Sequence, residues 1–311
     1  MPLRGLWAVL KRAVAGWWND NVPHLGAALS YYTLFALAPI LVVAISIGGL
    51  VFGAEAVRGE IVGQIDGLVG HNGAVAVQAM LEGAAKRSSS VPATIIGVIT
   101  FFLGATGAFL ELQTALNAIW RVKPKVSGSF VRALVIDRLV SFGLVVGVGF
   151  LMLTSLLVSA GLAALHTYMG ETFPGGAALW EGMNVIVSLA VISILFALVY
   201  KFLPDVELAW SDVWVGGLVT AGLFTVGKLL IGLYLGTSAF ASSYGAAGSV
   251  IVVLLWVYYS AQIVLLGAEF TREYVKEFGR RPPPSDFATK DPSPPLGGAG
   301  KSGRTGKTGR K

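Results

Sequence analysis

Long apolar segments alternate with polar or Gly/Pro-rich sequence along most of the chain. Each segment is 21 to 29 residues long and holds at most one or two ionisable groups. About 20 mainly apolar residues suffice for a helix to cross the hydrocarbon core of a bilayer, whereas barrel strands alternate over about 10 residues. The pattern predicts an all-α fold, an integral membrane bundle of six transmembrane helices, at residues 25–53, 92–113, 139–163, 183–203, 213–235 and 245–270.

Composition agrees with a membrane location. Hydrophobic residues make up 55% of the chain and charged residues only 13%, against about 25% charged in ordinary soluble domains. The chain has no Cys, which excludes disulfides, thiolate metal sites and cysteine nucleophiles. Its three His residues are isolated in sequence at positions 24, 71 and 166. We therefore expect no metal, no cofactor and no enzymatic activity.

Three regions follow from this pattern. Residues 1–24 form an amphipathic N-terminal segment, and residues 25–278 form the six-helix transmembrane domain. Apolar residues at helical spacing within 54–91 predict an outer insertion of two short amphipathic helices. Residues 279–311 are rich in Pro, Gly and basic residues and are predicted to be disordered.

The net charge of +6 belongs to this last segment. Residues 279–311 carry eight Lys/Arg and two acids, and the other 278 residues carry 15 basic and 15 acidic groups. We therefore expect no nucleic-acid partner. The expected partners are the phospholipid bilayer and, for the basic tail, anionic lipid headgroups. The sequence leaves the oligomeric state open.

Basic residues also predict the orientation. If the N-terminus is cytoplasmic, thirteen Lys/Arg flank the spans on the inner side and three lie on the outer side. Cytoplasmic loops retain Lys and Arg. The prediction is a multi-pass membrane protein with both termini in the cytoplasm.

Ionisable groups inside spans are costly and point to function. Three occur, namely Glu111, Lys228 and Glu269. Lys228 lies about 22 Å from the cytoplasmic boundary of its span at 1.5 Å per residue. Its ammonium either reaches the outer headgroups or faces an internal cavity that attracts an anion. The sequence does not decide between these.

Glu111 lies near the inner end of the second predicted span, followed by Gln113 and Asn117. Glu111 and Gln113 point to opposite faces of a helix, which indicates surroundings of protein or water rather than lipid. One alternative is an ion pair between Glu111 and Arg138. The other is a role in a solute path.

The last predicted span carries Tyr259, Gln262 and Glu269 along one side, with Tyr258 beside them. Such a stripe makes either interhelical hydrogen bonds or a lined pathway. The complete set of candidate path residues is Lys228, Glu111, Gln113, Asn117, Tyr258, Tyr259, Gln262, Glu269, Tyr31 and Tyr32. Residues expected to bend or pack the helices, or to belong to structural motifs, are Pro39, Gly104, Gly107, Gly143, Gly147, Pro204, Asp205, Gly245 and Gly248.

Six motifs in order give a family resemblance. They are GAALSYYTLFALAP at 26–39, LQTALNAIW at 112–120, YKFLPD at 200–205, YGAAGS at 244–249, LWVYY at 255–259 and GAEFT at 267–271. Over about residues 5 to 275 the chain resembles the YihY/BrkB family of bacterial inner-membrane proteins. The resemblance implies six spans. Motif residues that match are Tyr31, Tyr32, Pro39, Gln113, Asn117, Trp120, Pro204, Asp205, Tyr244, Trp256, Tyr258, Tyr259 and Glu269.

The resemblance implies little about activity. Members of the family have been labelled ribonuclease BN, and others have been linked to virulence or lipid export. A metal-dependent nuclease needs clustered carboxylates or His, and here the acids are dispersed. Our leading hypothesis is transport or export of an anionic solute or lipid. The alternatives are a membrane scaffold or envelope-integrity protein and, with least support, a membrane-associated ribonuclease.

Overall fold

The computed structural model describes residues 3–69, 74–75, 77–79, 81–82, 107–125, 176–237, 246–279, 282–285 and 288–292. Its helices are α1 (Leu3–Asn19), α2 (Val22–Phe52), α3 (Ala54–Val69), α4 (residues 107–120), α5 (Gly176–Phe202), α6 (Trp210–Thr237) and α7 (Ala246–Phe278). Asn21, Gly53 and Arg121 have positive φ angles of 53°, 86° and 56°. This left-handed backbone ends α1, α2 and α4.

The long helices coincide with predicted spans. α2, α5, α6 and α7 cover the segments predicted at 25–53, 183–203, 213–235 and 245–270, and α7 continues to Phe278. Within the described residues, three stretches are long and apolar enough to cross a membrane, namely Val185–Phe202, Trp210–Tyr234 and Val250–Phe278. α4 includes the end of the segment predicted at 92–113, and the segment at 139–163 lies outside the described residues.

The segment predicted as an outer insertion is helical where it is described. A single residue, Gly53, separates the end of α2 from the start of α3. The described residues between 74 and 82 are also helical. Val77 and Leu81 are buried in a hydrophobic cluster with Ile45, Val253 and Val257. Val77 and Leu81 therefore pack on α2 and α7.

A small sheet departs from the all-α prediction. β1 (Val122–Pro124) pairs antiparallel with β2 (Ala288–Lys290), with Lys123 opposite Thr289. A bridge joins Val206 to Pro284. The tail predicted to be disordered from residue 279 therefore contributes a paired strand. Local composition did not reveal this pairing because the partners are far apart in sequence; residues 293–311 lie outside the described set.

The chain divides into two compact units. Unit 1 comprises Met1–Asn21, Leu116–Thr225 and Leu266–Lys311, and unit 2 comprises Val22–Ala115 and Val226–Leu265. Unit 1 therefore contains α1, the end of α4, the sheet and α5. It also contains the first part of α6 and the last part of α7.

Glycines allow close helix packing in unit 1. A Cβ at Gly217 would lie 2.6 Å from the Ser193 carbonyl oxygen, so α5 and α6 approach closely here. A Cβ at Gly267 would overlap the hydroxyl groups of Tyr200 and Thr220, which lie 2.9 Å apart in a hydrogen bond. Small residues permit such backbone approach between helices in a membrane.

Candidate functional site

The Arg272 guanidinium lies at the centre of a buried group of charges in unit 1. Its Nη1 is 2.7 Å from Asp20 Oδ2, its Nη2 is 2.9 Å from Glu269 Oε2, and its Nε is 3.4 Å from Glu273 Oε1. The Arg272 side chain is 7% exposed and Glu269 is fully buried. Residues 269, 272 and 273 lie at steps of three and four on α7, so one face of this helix presents them together.

Two further contacts join α4 to this group. Arg272 Nη1 donates a hydrogen bond to the Ile119 carbonyl near the end of α4. Arg121 Nη2 lies 2.5 Å from Asp20 Oδ1. A cation near the last carbonyls of a helix is favourable. We call Asp20, Arg121, Glu269, Arg272 and Glu273 the ionic cluster. It connects the C-terminal ends of α1 and α4 to α7.

More exposed cations surround Glu273. Lys276 Nζ lies 2.6 Å from Glu273 Oε1, and Arg12 Nε lies 3.5 Å from Oε2. Arg12 Nη2 also lies 2.7 Å from Glu277. Together with the ionic cluster, these residues supply four carboxylates and four cations. Buried charges are costly unless they are paired, and here every carboxylate has a cationic neighbour.

Gly16 makes room for the most deeply buried acid. A Cβ at position 16 would lie 2.6 Å from Glu269 Oε2 and 3.1 Å from Arg272 Nη2. α1 can therefore lie against the ion pair only because this residue has no side chain. Asp20, one turn later, lies on the same face of α1.

Asn117 and Asp205 form a second polar contact in unit 1. Asn117 Nδ2 donates to Asp205 Oδ2 at 2.8 Å, and the Asp205 amide donates to Asn117 Oδ1 at 2.8 Å. Asp205 and the buried Pro204 lie in the connection between α5 and α6. The nitrogen and the oxygen of the Asn117 side-chain amide therefore both hold this loop.

The polar stripe of α7 lies against glycines of neighbouring helices in unit 2. A Cβ at Gly227 would lie 3.1 Å from the Tyr259 ring, and one at Gly26 would overlap Gln262 Nε2. Tyr259 therefore packs on α6 and Gln262 on α2. Tyr258 is half-buried. These are close packing contacts, and the choice between interhelical hydrogen bonds and a lined pathway stays a prediction.

Lys228 and Glu111 are half-buried residues of unit 2. In the part of the chain that the structure describes, neither makes an ion pair or hydrogen bond. Lys228 lies between exposed Val226 and Leu229, and beside buried Gly227. It is therefore at the edge of the exposed surface of α6. Gln113 is half-buried on α4, and Arg138 lies outside the described residues.

Tyr31 and Tyr32 lie on the surface of α2. They are 57% and 44% exposed, and their ring centroids are 5.8 Å apart. A Cβ at Gly107 would lie 3.1 Å from the Tyr32 ring. Helix α2 continues through Pro39, and Gly248 is buried. The remaining motif glycines, Gly104, Gly143, Gly147 and Gly245, lie outside the described residues.

The structure thus gathers one of the predicted candidates, Glu269, with residues that sequence reasoning treated only as loop charges or did not select. Those are Asp20, Arg121, Arg272 and Glu273. The spacing of Glu269, Arg272, Glu273 and Lys276 on one helix was a usable signal. No local signal pointed to Asp20, which lies 252 positions from Arg272.

The three helices that are long and apolar enough to cross a membrane indicate a helical integral membrane protein. The chain belongs to the BrkB family: the family model described as virulence factor BrkB matches residues 13–290. The resemblance to the YihY/BrkB family is confirmed.

Curated relatives agree with a membrane location. A UPF0761 membrane protein of Ralstonia nicotianae is 31% identical over 257 residues, covering 80% of this chain and 55% of the relative. A UPF0761 membrane protein of Psychrobacter sp. is 26% identical, covering 84% of this chain and 47% of the relative. One of Pseudomonas paraeruginosa is 31% identical, covering 80% and 58%. The chain spans about half the length of the curated relatives it matches. No solved structure matches it.

Proposed function

We propose that this protein crosses the bacterial inner membrane six times, with both termini in the cytoplasm, and moves an anionic solute or lipid. The six apolar segments and the excess of Lys/Arg at one side support this topology. The proposal involves no catalytic step. The observation that carries it is Lys228, a cation within the apolar stretch Trp210–Tyr234.

Lys228 suits an anion for two reasons. First, a charge at this depth is costly and is kept where it contacts water, a partner or a substrate. Second, the described residues offer it no carboxylate, so its positive charge is available to a phosphate or carboxylate group. Its position at the edge of the exposed face of α6 suits a lipid headgroup that enters from the bilayer.

The set of path residues is smaller than the sequence predicted. Glu269 Oε2 lies 2.9 Å from Arg272 Nη2 within the ionic cluster, and Asn117 hydrogen-bonds Asp205. Tyr31 is mostly exposed. The proposal therefore rests on Lys228 and Glu111, and it treats the ionic cluster as a structural element.

Reconstituted vesicles test this proposal. Full-length protein in phosphatidylcholine and phosphatidylglycerol vesicles is assayed with two probes, fluorescent phosphatidylglycerol for lipid movement and inorganic phosphate for solute uptake. We expect Lys228→Ala to lower the rate of one of them by about tenfold, which corresponds to about 1.4 kcal/mol. We expect Glu111→Gln to lower it as well.

Two control variants separate charge from folding. Lys228→Arg keeps the charge and should keep most of the rate, and Lys290→Ala removes an exposed Lys of β2 and should change nothing. Equal rates for Lys228→Ala and the unchanged protein would exclude Lys228 from the path. That result would agree with a snorkelling lysine whose ammonium reaches the headgroups.

The ionic cluster favours a second candidate function, a membrane scaffold that maintains the envelope. Three helices joined by buried ion pairs form a rigid base that needs no substrate. In this case neither probe moves above the rate of protein-free vesicles. A third possibility, ribonuclease activity, would require metal-dependent RNA cleavage by the purified protein.

A further inference from the structure

Helix α1 has an aromatic face that the described part of the protein leaves uncovered. Trp7, Val14 and Trp18 are 59%, 50% and 72% exposed. They are spaced by seven and four residues and so lie on one side of the helix. We call them the α1 aromatic face.

The opposite side of α1 is buried against other residues of unit 1. Val9 and Ala13 are 0% exposed, and Asp20 is 2% exposed. Gly16 lies between them, against Glu269 and Arg272. α1 is thus fixed to unit 1 by one side, and its apolar surface is wider than the area that unit 1 covers.

The chemistry of this face indicates what covers it. Trp prefers the interface between hydrocarbon and water, because its ring is apolar and its indole N–H needs a polar partner. Lys11 Nζ lies 5.3 Å from the centre of the Trp7 ring, so a cation accompanies the aromatic residues. This combination complements anionic headgroups above acyl chains.

The position of α1 in the chain supports the same occupant. α1 ends at Asn19 and α2 begins at Val22. The predicted first span starts at residue 25, six residues after the end of α1. A helix that directly precedes a span is held near the level of the headgroups.

We infer that α1 is an interfacial helix, with Trp7, Val14 and Trp18 inserted into the inner leaflet and Lys11 at the anionic headgroups. The two helices α1 and α2 would then contact the bilayer in different ways: α1 lies on it and α2 crosses it. The partner is the lipid surface itself, and no other protein is required.

The absence of Cys makes a direct depth measurement possible. Val14→Cys in the full-length protein gives a single thiol for a nitroxide spin label. Its accessibility to oxygen, which enters the bilayer, and to a water-soluble nickel chelate is measured by paramagnetic resonance in phosphatidylglycerol-containing vesicles. Asn19→Cys is the matched control, because Asn19 is exposed on another side of the same helix.

We expect the label at position 14 to lie about 5–10 Å into the boundary between headgroups and acyl chains, and the label at 19 to stay open to the nickel chelate. Trp7→Ala with Trp18→Ala should return the label at 14 to water, and pure phosphatidylcholine should reduce its depth. Equal chelate access at 14 and 19 would overturn the inference. Spin–spin broadening at position 14 would also overturn it, since it would assign the face to a second copy of the chain.

Discussion

At the residue scale, Arg272 shows how a charge is accommodated in an apolar bundle. All three of its guanidinium nitrogens have a carboxylate within 3.4 Å, and one also contacts the Ile119 carbonyl. The rigid planar guanidinium of Arg can bind several carboxylates at once, and it does so better than the single ammonium of Lys. The carboxylates come from α1 and α7, so the guanidinium acts as a connector between helices.

Asp20→Asn should strongly destabilise the protein. It removes the carboxylate that lies between Arg272 and Arg121 and leaves Arg272 buried with one partner fewer. Breaking a buried ion pair on one side costs about 3 kcal/mol. We expect a lower melting temperature in detergent, measured by intrinsic fluorescence.

An exposed ion pair provides the control. Glu55 is 3.6 Å from Arg58, and its side chain is 87% exposed. Glu55→Gln should change stability by less than about 1 kcal/mol, because surface pairs contribute little. Equal effects of the two substitutions would contradict a structural role for the ionic cluster.

At the element scale, the glycines of α6 differ in what surrounds them. A Cβ at Gly216 would overlap the Thr271 hydroxyl of α7, whereas a Cβ at Gly222 would have no atom of the described residues within 4 Å. Gly216 therefore allows close packing of α6 against α7, whereas Gly222 has no such role among the described residues. Sequence alone gives both the same weight.

Gly216→Ala should therefore destabilise the protein, whereas Gly222→Ala should not. Gly216→Ala forces α6 and α7 apart and should destabilise by about 1–3 kcal/mol. Gly222→Ala should be neutral or stabilise by up to about 1 kcal/mol, because Ala is the better helix former. Thermal unfolding of the two purified variants decides this, and destabilisation by Gly222→Ala alone would contradict the helix contact.

The small sheet gives a second prediction at this scale. Residues 282–292 provide the strand β2 and accept or donate backbone hydrogen bonds with Asp205, Glu207 and Arg121. A chain that ends after residue 281 loses these three bonds and should be less stable by about 3 kcal/mol, at about 1 kcal/mol net for each bond.

A chain that ends after residue 292 is the control for this truncation. It keeps β2 and removes only the remainder of the basic tail, so its melting temperature should equal that of the full chain. A loss of stability in this shorter deletion would show that residues 293–311 also stabilise the fold.

At the scale of the whole molecule, the distribution of basic residues predicts the orientation of the chain in the bilayer. Fusions of green fluorescent protein to either terminus should fluoresce, because both termini are expected in the cytoplasm. Alkaline phosphatase inserted between residues 54 and 91 should be active, since that segment is expected outside. Phosphatase activity in a terminal fusion would contradict the orientation.

The sequence determined the helical elements. α2, α5, α6 and α7 lie where apolar runs predicted them, because helical hydrogen bonds are local and a bilayer requires them to be satisfied within each segment. It also identified the family through motifs in a fixed order. The short strands were missed, since three-residue elements depend on a distant partner rather than on a run of their own.

Only the tertiary structure decided what the polar residues contact. Glu269 had the same sequence signal as Glu111 and Lys228, an ionisable group in an apolar segment. Folding brings Asp20 and Arg272, which are 252 positions apart in sequence, into contact. Arg272 also forms an ion pair with Glu269. Helix formation follows from neighbours along the chain, but the partner of a buried charge is set by which helix ends meet, and local sequence does not encode that.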